Sequence, residues 1–473
     1  MARVGEGPAG RAARAAAAVG IALLVLVAAL AAPVRAQTIL RDAETEAFFR
    51  DAARPLLEAA GLDPRGVTIG LTADGSVNAF ATLGQRIFFH AGLIIAAEDV
   101  RMFQGVLAHE IGHVAAGHAV RWGEGVGPAS GVSLLSMVLG AAAIAAGAPD
   151  AGMAVLMAGQ QAATGMILAF SREQESRTDQ AAAAYLNAAG IDGEGLIAFF
   201  RRLQGDEFRL AIPQNNEYAR THPLTGNRIA ALREVLQVSP HWGRGPDPEL
   251  QRRYARVRGK LIGYILEPAQ ALAAFPPTDT SDAARLARAY AFHRQGRHAE
   301  ALAEVAPLAA RGAADPHALE LKGQILLESG RPEDAIPPLR AATVATRYEP
   351  LVASMLGHAL VQAAERGGPE AGARMAEAET VLRNALSRDR ENPFAWLQLG
   401  VIYERRGDGA RAALATAERL SLTGGDPRVT GRAAEIALAG LPRGTPEHVR
   451  AQDIALAAAA AAETERSRGG RRR

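Results

Sequence analysis

The sequence predicts a mainly helical α+β chain: a first domain with a small sheet, then an all-α superhelix of repeats. Two observations carry this reading. Alternating apolar runs at Val67 to Leu71 and Val77 to Phe89, with Asp74-Gly75 between them, read as strands among long helical patterns. From about Thr280 the chain repeats itself. Gly296-Arg297-x-x-Glu300-Ala301-Leu302 returns as Gly330-Arg331-x-x-Asp334-Ala335-Ile336, a shift of 34 positions, and Pro316 returns as Pro350. A third copy carries Trp396-x-x-Leu399-Gly400-x-x-Tyr403 and Gly407-Asp408, after an insertion near Gly367 to Gly372. Period and positions match the tetratricopeptide pattern, in which helix pairs stack around a concave groove.

Taken in order, residues 1–36 read as an export signal. Arg3, Arg11 and Arg14 precede the apolar run Ala15 to Ala32, and Val34-Arg35-Ala36 offers small residues for cleavage. A retained anchor helix is the alternative. Residues 37–240 form the first domain. A helix runs to Leu57 and ends at Gly61 and Pro64; the strands follow, and Gly92 to Ala119 reads as one helix. Gly131 to Phe170 is apolar with a single charge, Asp150, and is interrupted at Gly147-Ala148-Pro149-Asp150. Each half is shorter than the ~20 residues of a comfortable membrane span. It reads as a buried helical hairpin or as a surface that touches membrane or an apolar partner. Residues 241–279, rich in Pro and charge, read as a linker containing a helix. Residues 280–440 are the repeats, and 441–473 read as a basic, disordered tail.

Composition excludes several functions. The chain has 473 residues, a formal net charge of +2 and no cysteine. Without a basic stripe, nucleic acid is a poor partner. Without cysteine there are no disulfides, thiol nucleophiles or thiolate metal sites. Export and the lack of cysteine together point to the periplasm.

His109-Glu110-Ile111-Gly112-His113 lies inside the predicted helix of residues 92–119. Two imidazoles four positions apart share a helix face and can reach one metal ion, with Glu110 beside them to take a proton from water. A hydrolytic zinc site needs a third protein ligand. His118 lies about 140° further round the helix than His113. Gly117 and His118 also miss the metzincin offsets. His118 is therefore read as a hydrogen-bonding residue at the helix end. Glu175 is the better third ligand. Asp179 shares its helix face and is expected to hold the free ring nitrogen of His109.

Together, Val77-Asn78-Ala79-Phe80, the His109 to His113 segment, Ser171-Arg172-Glu173-Gln174-Glu175 with Asp179, and His222-Pro223-Leu224 with Arg228-Ile229 resemble the gluzincin family of zinc metallopeptidases, which includes the Ste24, HtpX and Oma1 peptidases. The resemblance runs from about Leu40 to Val235. It implies a zincin-like domain binding one Zn2+ through His109, His113 and Glu175, with Glu110 as general base. His222 and Arg228 are candidates for oxyanion stabilisation. His222 could instead occupy the open zinc position, or simply cap a helix before Pro223. Asn78, Ala79 and Phe80 could form an exposed strand edge for substrate, or belong to an internal strand.

The expected function is a periplasmic zinc endopeptidase in envelope quality control, acting on misfolded or stalled outer-membrane proteins. Expected partners are unfolded polypeptides, the outer-membrane assembly machinery through the repeats, and the membrane surface by peripheral contact. The alternative is a repeat-based chaperone or assembly factor whose protease site is secondary or self-inhibited.

Overall fold

The computed structural model describes residues 38–145, 148–209, 218 and 221–470, and elements are numbered among these. The expected export signal, residues 1–36, lies outside them. Met1–Ile39 is a unit of its own, and Leu40–Arg473 is the other.

Helix α1 (Ala43–Ala59) starts at Asp42, whose side chain accepts from Thr45 N, and stops before Gly61 at φ 69°. Its Phe48, Phe49, Leu56 and Leu57 are buried. The sheet has four strands, β1 (Ile39–Leu40), β2 (Thr68–Thr72), β3 (Ala79–Thr82) and β4 (Arg86–His90), in the spatial order β1-β2-β4-β3. β2 pairs with β4 in parallel and β3 with β4 antiparallel, so β3 is an edge strand. The run Val77 to Phe89 is thus two strands, not one. Gly84 at φ 79° and Gln85 at φ 55° turn the chain between them.

The expected helix over residues 92–119 also divides. α2 spans Ala91–Ala96, and α3 spans Val100–Ala115 after an Asp99 cap that accepts from Arg101 N and Met102 N. α3 is buried over most of its length and lies between the sheet, α1, α5 (Pro149–Ala188) and α6 (Glu194–Arg209). Gly105 permits the contact with α6: a Cβ there would sit 2.6 Å from that of Leu196.

The hairpin of α4 (His118–Ala145) and α5 departs from the buried reading. The two helices pack on each other, but Leu134, Leu135, Val138, Leu139, Met153 and Met157 are exposed. Each helix also continues beyond the apolar stretch, to 28 and 40 residues, so neither is too short to span a bilayer. α7 (Gly226–Leu236) closes the domain against α5 and α6.

Residues 241–279 are not a linker. α8 (Pro248–Ile265) inserts Tyr254 fully into the core, where its hydroxyl donates to Ile94 O (3.0 Å) and Ala97 O (2.8 Å). Its charges suggested a linker because their partners are distant in sequence. Lys260 meets Asp42 (2.6 Å), and Arg256 meets Glu44 (2.5 Å) and Asp315 (2.9 Å). α8 also packs on the first repeat helix, so it joins domain and repeats.

After the short α9 (Pro268–Ala274), five helix pairs follow: α10 (Asp282–Arg294) with α11 (His298–Ala309), α12 (Pro316–Glu328) with α13 (Pro332–Ala345), α14 (Pro350–Glu365) with α15 (Ala371–Arg388), α16 (Pro393–Arg405) with α17 (Gly409–Leu422), and α18 (Pro427–Gly440) with α19 (Pro446–Gly470). Gly296, Gly330, Gly367 and Gly407 turn four of the pairs at positive φ. The insertion near Gly367 is therefore the turn of a divergent repeat. The tail is corrected as well: α19 runs to Gly470 and buries Ala451, Ile454 and Ala458. Its Ala-rich sequence supports a helix, and its apolar side caps the stack.

Candidate metal centre

α3 and α5 bring the site together. Both approach closely because position 112 is glycine: a Cβ there would lie 2.9 Å from Thr178 Cγ2. Glu175 and Asp179 lie on either side of Thr178 and so face His109 and His113 one turn apart. His109, His113, Glu175 and His222 each offer a donor atom, and these atoms all lie within 4.8 Å of one another. His109 Nε2 is 3.1 Å from His113 Nε2 and 3.3 Å from Glu175 Oε2, and His113 Nε2 is 3.4 Å from Glu175 Oε1.

His222 joins the cluster rather than only capping a helix. Its Nδ1 is 3.0 Å from Glu175 Oε1 and 3.3 Å from His109 Nε2. Tyr218 stacks on it at 4.5 Å between centroids. Glu110 is fully buried, and its carboxylate has no hydrogen-bond partner among the described residues. His222 Nε2 is 3.6 Å from it. Leaving a buried carboxylate without a partner is costly unless something outside the protein chain completes the site. The close nitrogens of His109 and His113, the Glu175 carboxylate and the unpartnered Glu110 beside them fit a zinc ion with three protein ligands and a fourth position, which His222 adjoins.

The outward-facing ring nitrogens are held by two different groups. Asp179 Oδ1 is 3.0 Å from His109 Nδ1, as the spacing suggested. His113 Nδ1 is 2.8 Å from His118 Nδ1, a partner for that ligand which the sequence reading missed. The signal was present: His118 follows Gly117 at φ 65°, which turns the chain back and returns the imidazole to α3 despite its helical offset. Burial, with His113 alongside, lowers the pKa of His118 to about 4, so it stays neutral and can accept. Burial disfavours the His109 cation, but Asp179 and Glu175 outweigh it and raise its pKa to about 9. Burial opposes ionisation of Glu175, but hydrogen bonds from His109, His113 and His222 hold it well below the usual carboxylate range.

Arg228 has a different role from the oxyanion one. Its Nε and Nη2 grip Asp179, with Nη2 at 2.9 Å from Oδ1 and also 2.9 Å from Glu175 Oε2. Its Nη1 donates to Pro223 O at 3.0 Å, and the guanidinium lies over Phe200. These bonds use its nitrogens to clamp the carboxylates. Tyr218, not singled out from sequence, is fully buried with its hydroxyl unpartnered among the described residues. Burial, then Glu110 and Glu175, push its pKa well above the ordinary value, so it remains a phenol that can donate. Of the edge-strand residues, Ala79 and Phe80 lie on β3 and Asn78 just before it. Tyr218 N donates to Val77 O at 3.0 Å, linking the strand's approach to the site.

The profile of peptidase family M48 matches residues 13–236. Over that stretch the chain is similar to family M48 peptidases. The matched stretch contains the whole donor cluster, and α8 and the repeats lie beyond it. A putative beta-barrel assembly-enhancing protease of Vibrio cholerae is 28% identical over 233 residues, covering 49% of this chain and 48% of that protein. The chain thus spans about half the length of that relative. Beta-barrel assembly-enhancing proteases of Yersinia pestis and Escherichia coli K12 are 26% and 25% identical, each over 75% of this chain and 71% of its own length. Among solved structures, a thermophilic tetratricopeptide-repeat protein of Thermus thermophilus is 19% identical, covers 36% of this chain and 97% of its own, and has a TM-score of 0.27.

Proposed function

We propose that the chain is a zinc-dependent endopeptidase of the periplasm that degrades misfolded or stalled outer-membrane proteins and aids their assembly. The observation that carries this is the unpartnered carboxylate of Glu110 beside the donors of His109, His113 and Glu175. A binding module has no use for that buried base. The relatives named as beta-barrel assembly-enhancing proteases support the substrate class, and the repeats supply a surface for an assembly partner.

His109, His113 and Glu175 would hold one Zn2+, with Asp179 and His118 orienting the two imidazoles. Bound there, zinc acidifies a water and polarises a carbonyl. Glu110 takes the proton from the attacking water and returns it to the leaving amine. Tyr218 is the buried donor available to the developing oxyanion. An extended substrate pairs along β3, where backbone hydrogen bonding imposes little sequence preference. Asn78, Ala79 and Phe80 begin that edge.

A second reading has its own support. His222 Nδ1 is close enough to Glu175 and His109 to share a metal with them, which favours a self-inhibited enzyme opened by its partner. The test uses the purified full chain, Glu110→Gln and His222→Ala. We expect stoichiometric zinc in all three, cleavage of an unfolded outer-membrane protein lost in Glu110→Gln, and basal cleavage raised in His222→Ala. Lower cleavage in His222→Ala would assign His222 to catalysis, and no change would sink both roles. A zinc-loaded chain that cuts nothing, even as His222→Ala, would leave the repeat-based chaperone as the function.

A further inference from the structure

The α4–α5 hairpin exposes large apolar side chains on both helices, well away from the face each turns to its partner. On α4 these are Leu134, Leu135, Met137, Val138, Leu139 and Ile144. At 100° per residue they cover an arc of roughly 220°, and on α5 the residues Met153, Val155, Met157, Met166 and Leu168 cover about the same. The remaining arcs form the seam. A Cβ on Gly140 would lie 2.8 Å from Gly152 O, and one on Gly159 would lie 2.0 Å from Ser136 Cβ. Polar groups near the seam are satisfied locally: Ser136 Oγ donates to Ser133 O (2.8 Å) and Gln160 Nε2 to Ser133 Oγ (2.9 Å).

Charge marks the length. No Asp, Glu, Lys, Arg or His occurs between Glu124 and Asp150, or between Asp150 and Arg172. At 1.5 Å per residue, Glu124 to the end of α4 and Asp150 to Arg172 each measure about 32 Å, close to the ~30 Å hydrocarbon core of a bilayer. Both helices regain charge at the same level. Arg121 pairs with Glu124, Arg177 with Glu173, and Arg121 shares one hollow with Glu173 and Arg177.

A protein partner would cover one side of such a hairpin and leave the rest in water. An outward surface of apolar and small residues, interrupted by the uncharged Gln161 and Thr164, free of charge over one bilayer thickness and sealed by a small-residue seam, fits surrounding lipid. We propose that the α4–α5 hairpin inserts into a phospholipid bilayer, up to the charged belt of Arg121, Glu124, Arg172 and Glu173. Within the chain, His118 lies six residues from Glu124 and Glu175 three from Arg172, about 9 and 5 Å along their helices. The metal centre then stands at the membrane surface and meets polypeptides emerging from or failing to enter the bilayer. That consequence rests on the peptidase reading; the insertion does not.

Because the chain has no cysteine, a single introduced cysteine can carry a nitroxide without other changes. Full-length Leu135→Cys and Met157→Cys would be compared with Leu83→Cys and Val238→Cys, which replace exposed apolar residues elsewhere. On adding vesicles of phosphatidylethanolamine and phosphatidylglycerol, the labels at 135 and 157 should lose access to a water-soluble nickel chelate and gain access to oxygen. Those at 83 and 238 should not change. This readout reports the hairpin itself, whatever residues 15–32 do. Adding Leu134→Asp and Leu139→Asp to the Met157→Cys chain should abolish the lipid signal and leave thermal unfolding unaltered. The proposal is overturned if vesicles leave all four labels unchanged, or if the aspartates lower the melting temperature. It is also overturned if the labels at 135 and 157 are immobilised without lipid in a concentration-dependent dimer, which would assign the surface to a second copy of the chain. Its failure would leave zinc content and Glu110-dependent cleavage untouched.

Discussion

Residues 149–171 and 172–188 belong to one continuous helix, α5, yet they meet their surroundings in opposite ways. The first part turns Met153, Met157 and Leu168 outward, and the second buries Glu175, Thr178 and Asp179. Both depart from the usual sorting of apolar inside and charged outside, but they are compensated differently. The buried carboxylates find Arg228, His109, His113 and His222 within the chain. The exposed apolar side chains have no such partner among the described residues. A charge taken inside must be matched there or by a bound cation, whereas an apolar surface left outside must be matched by another medium.

The largest effect should come from removing a donor in the second part. Glu175→Ala deletes the carboxylate that three imidazoles approach, and we expect stoichiometric zinc to be lost. The drop in affinity should exceed the ~10–100-fold typical of changes to groups that merely support a ligand. Competition against a chromophoric chelator measures it. Retention of wild-type affinity would mean that His222 serves as the third donor.

Asp179→Asn should come next. It weakens the hold on His109 Nδ1 and leaves Arg228, only 9% exposed, with Glu175 as its one carboxylate. Zinc affinity should fall roughly 10–100-fold. Stability should fall by up to about 3–5 kcal/mol, the cost of breaking a buried ion pair, as read by urea unfolding of the metal-free protein. His118→Ala should act on the other imidazole with less cost. A loss of about 10-fold in zinc affinity is expected, with His118→Gln restoring part of it. Equal behaviour of Ala and Gln would reduce His118 to a packing residue.

Much of the second part of α5 was legible in sequence because its information is local. His109 and His113, like Glu175 and Asp179, are pairs at one helical turn, and spacing alone puts each pair on one face. The repeats were legible for a similar reason: their period returns turn glycines at Gly296, Gly330 and Gly407. What stayed hidden depends on distant partners. The charges of α8 suggested a linker until Asp42, Glu44 and Asp315 were seen to neutralise them. Arg228 looked free for an oxyanion because Asp179 lies 49 positions away. The hairpin is a further case. A helix buried in protein and one surrounded by lipid are both apolar all round, so periodicity cannot tell them apart. Only the packing shows that nothing else among the described residues covers it.

The smallest expected effect sharpens the comparison most. Leu186, in the second part of α5, is fully buried in the core, and Leu186→Ala should cost about 2–5 kcal/mol of stability. Met157, in the first part, is 69% exposed, and Met157→Ala in lipid-free solution should change stability by less than about 0.5 kcal/mol. Both changes shorten an apolar side chain on the same helix, so helix propensity cannot account for the difference. Paired urea titrations would measure it. A cost at Met157 approaching that at Leu186 would mean that the hairpin already packs against something in solution, and the outward face would then need a protein partner rather than a bilayer. A negligible cost leaves Met157 contributing nothing to folding in water, so the reason for an apolar residue there must lie in what the hairpin meets outside the chain.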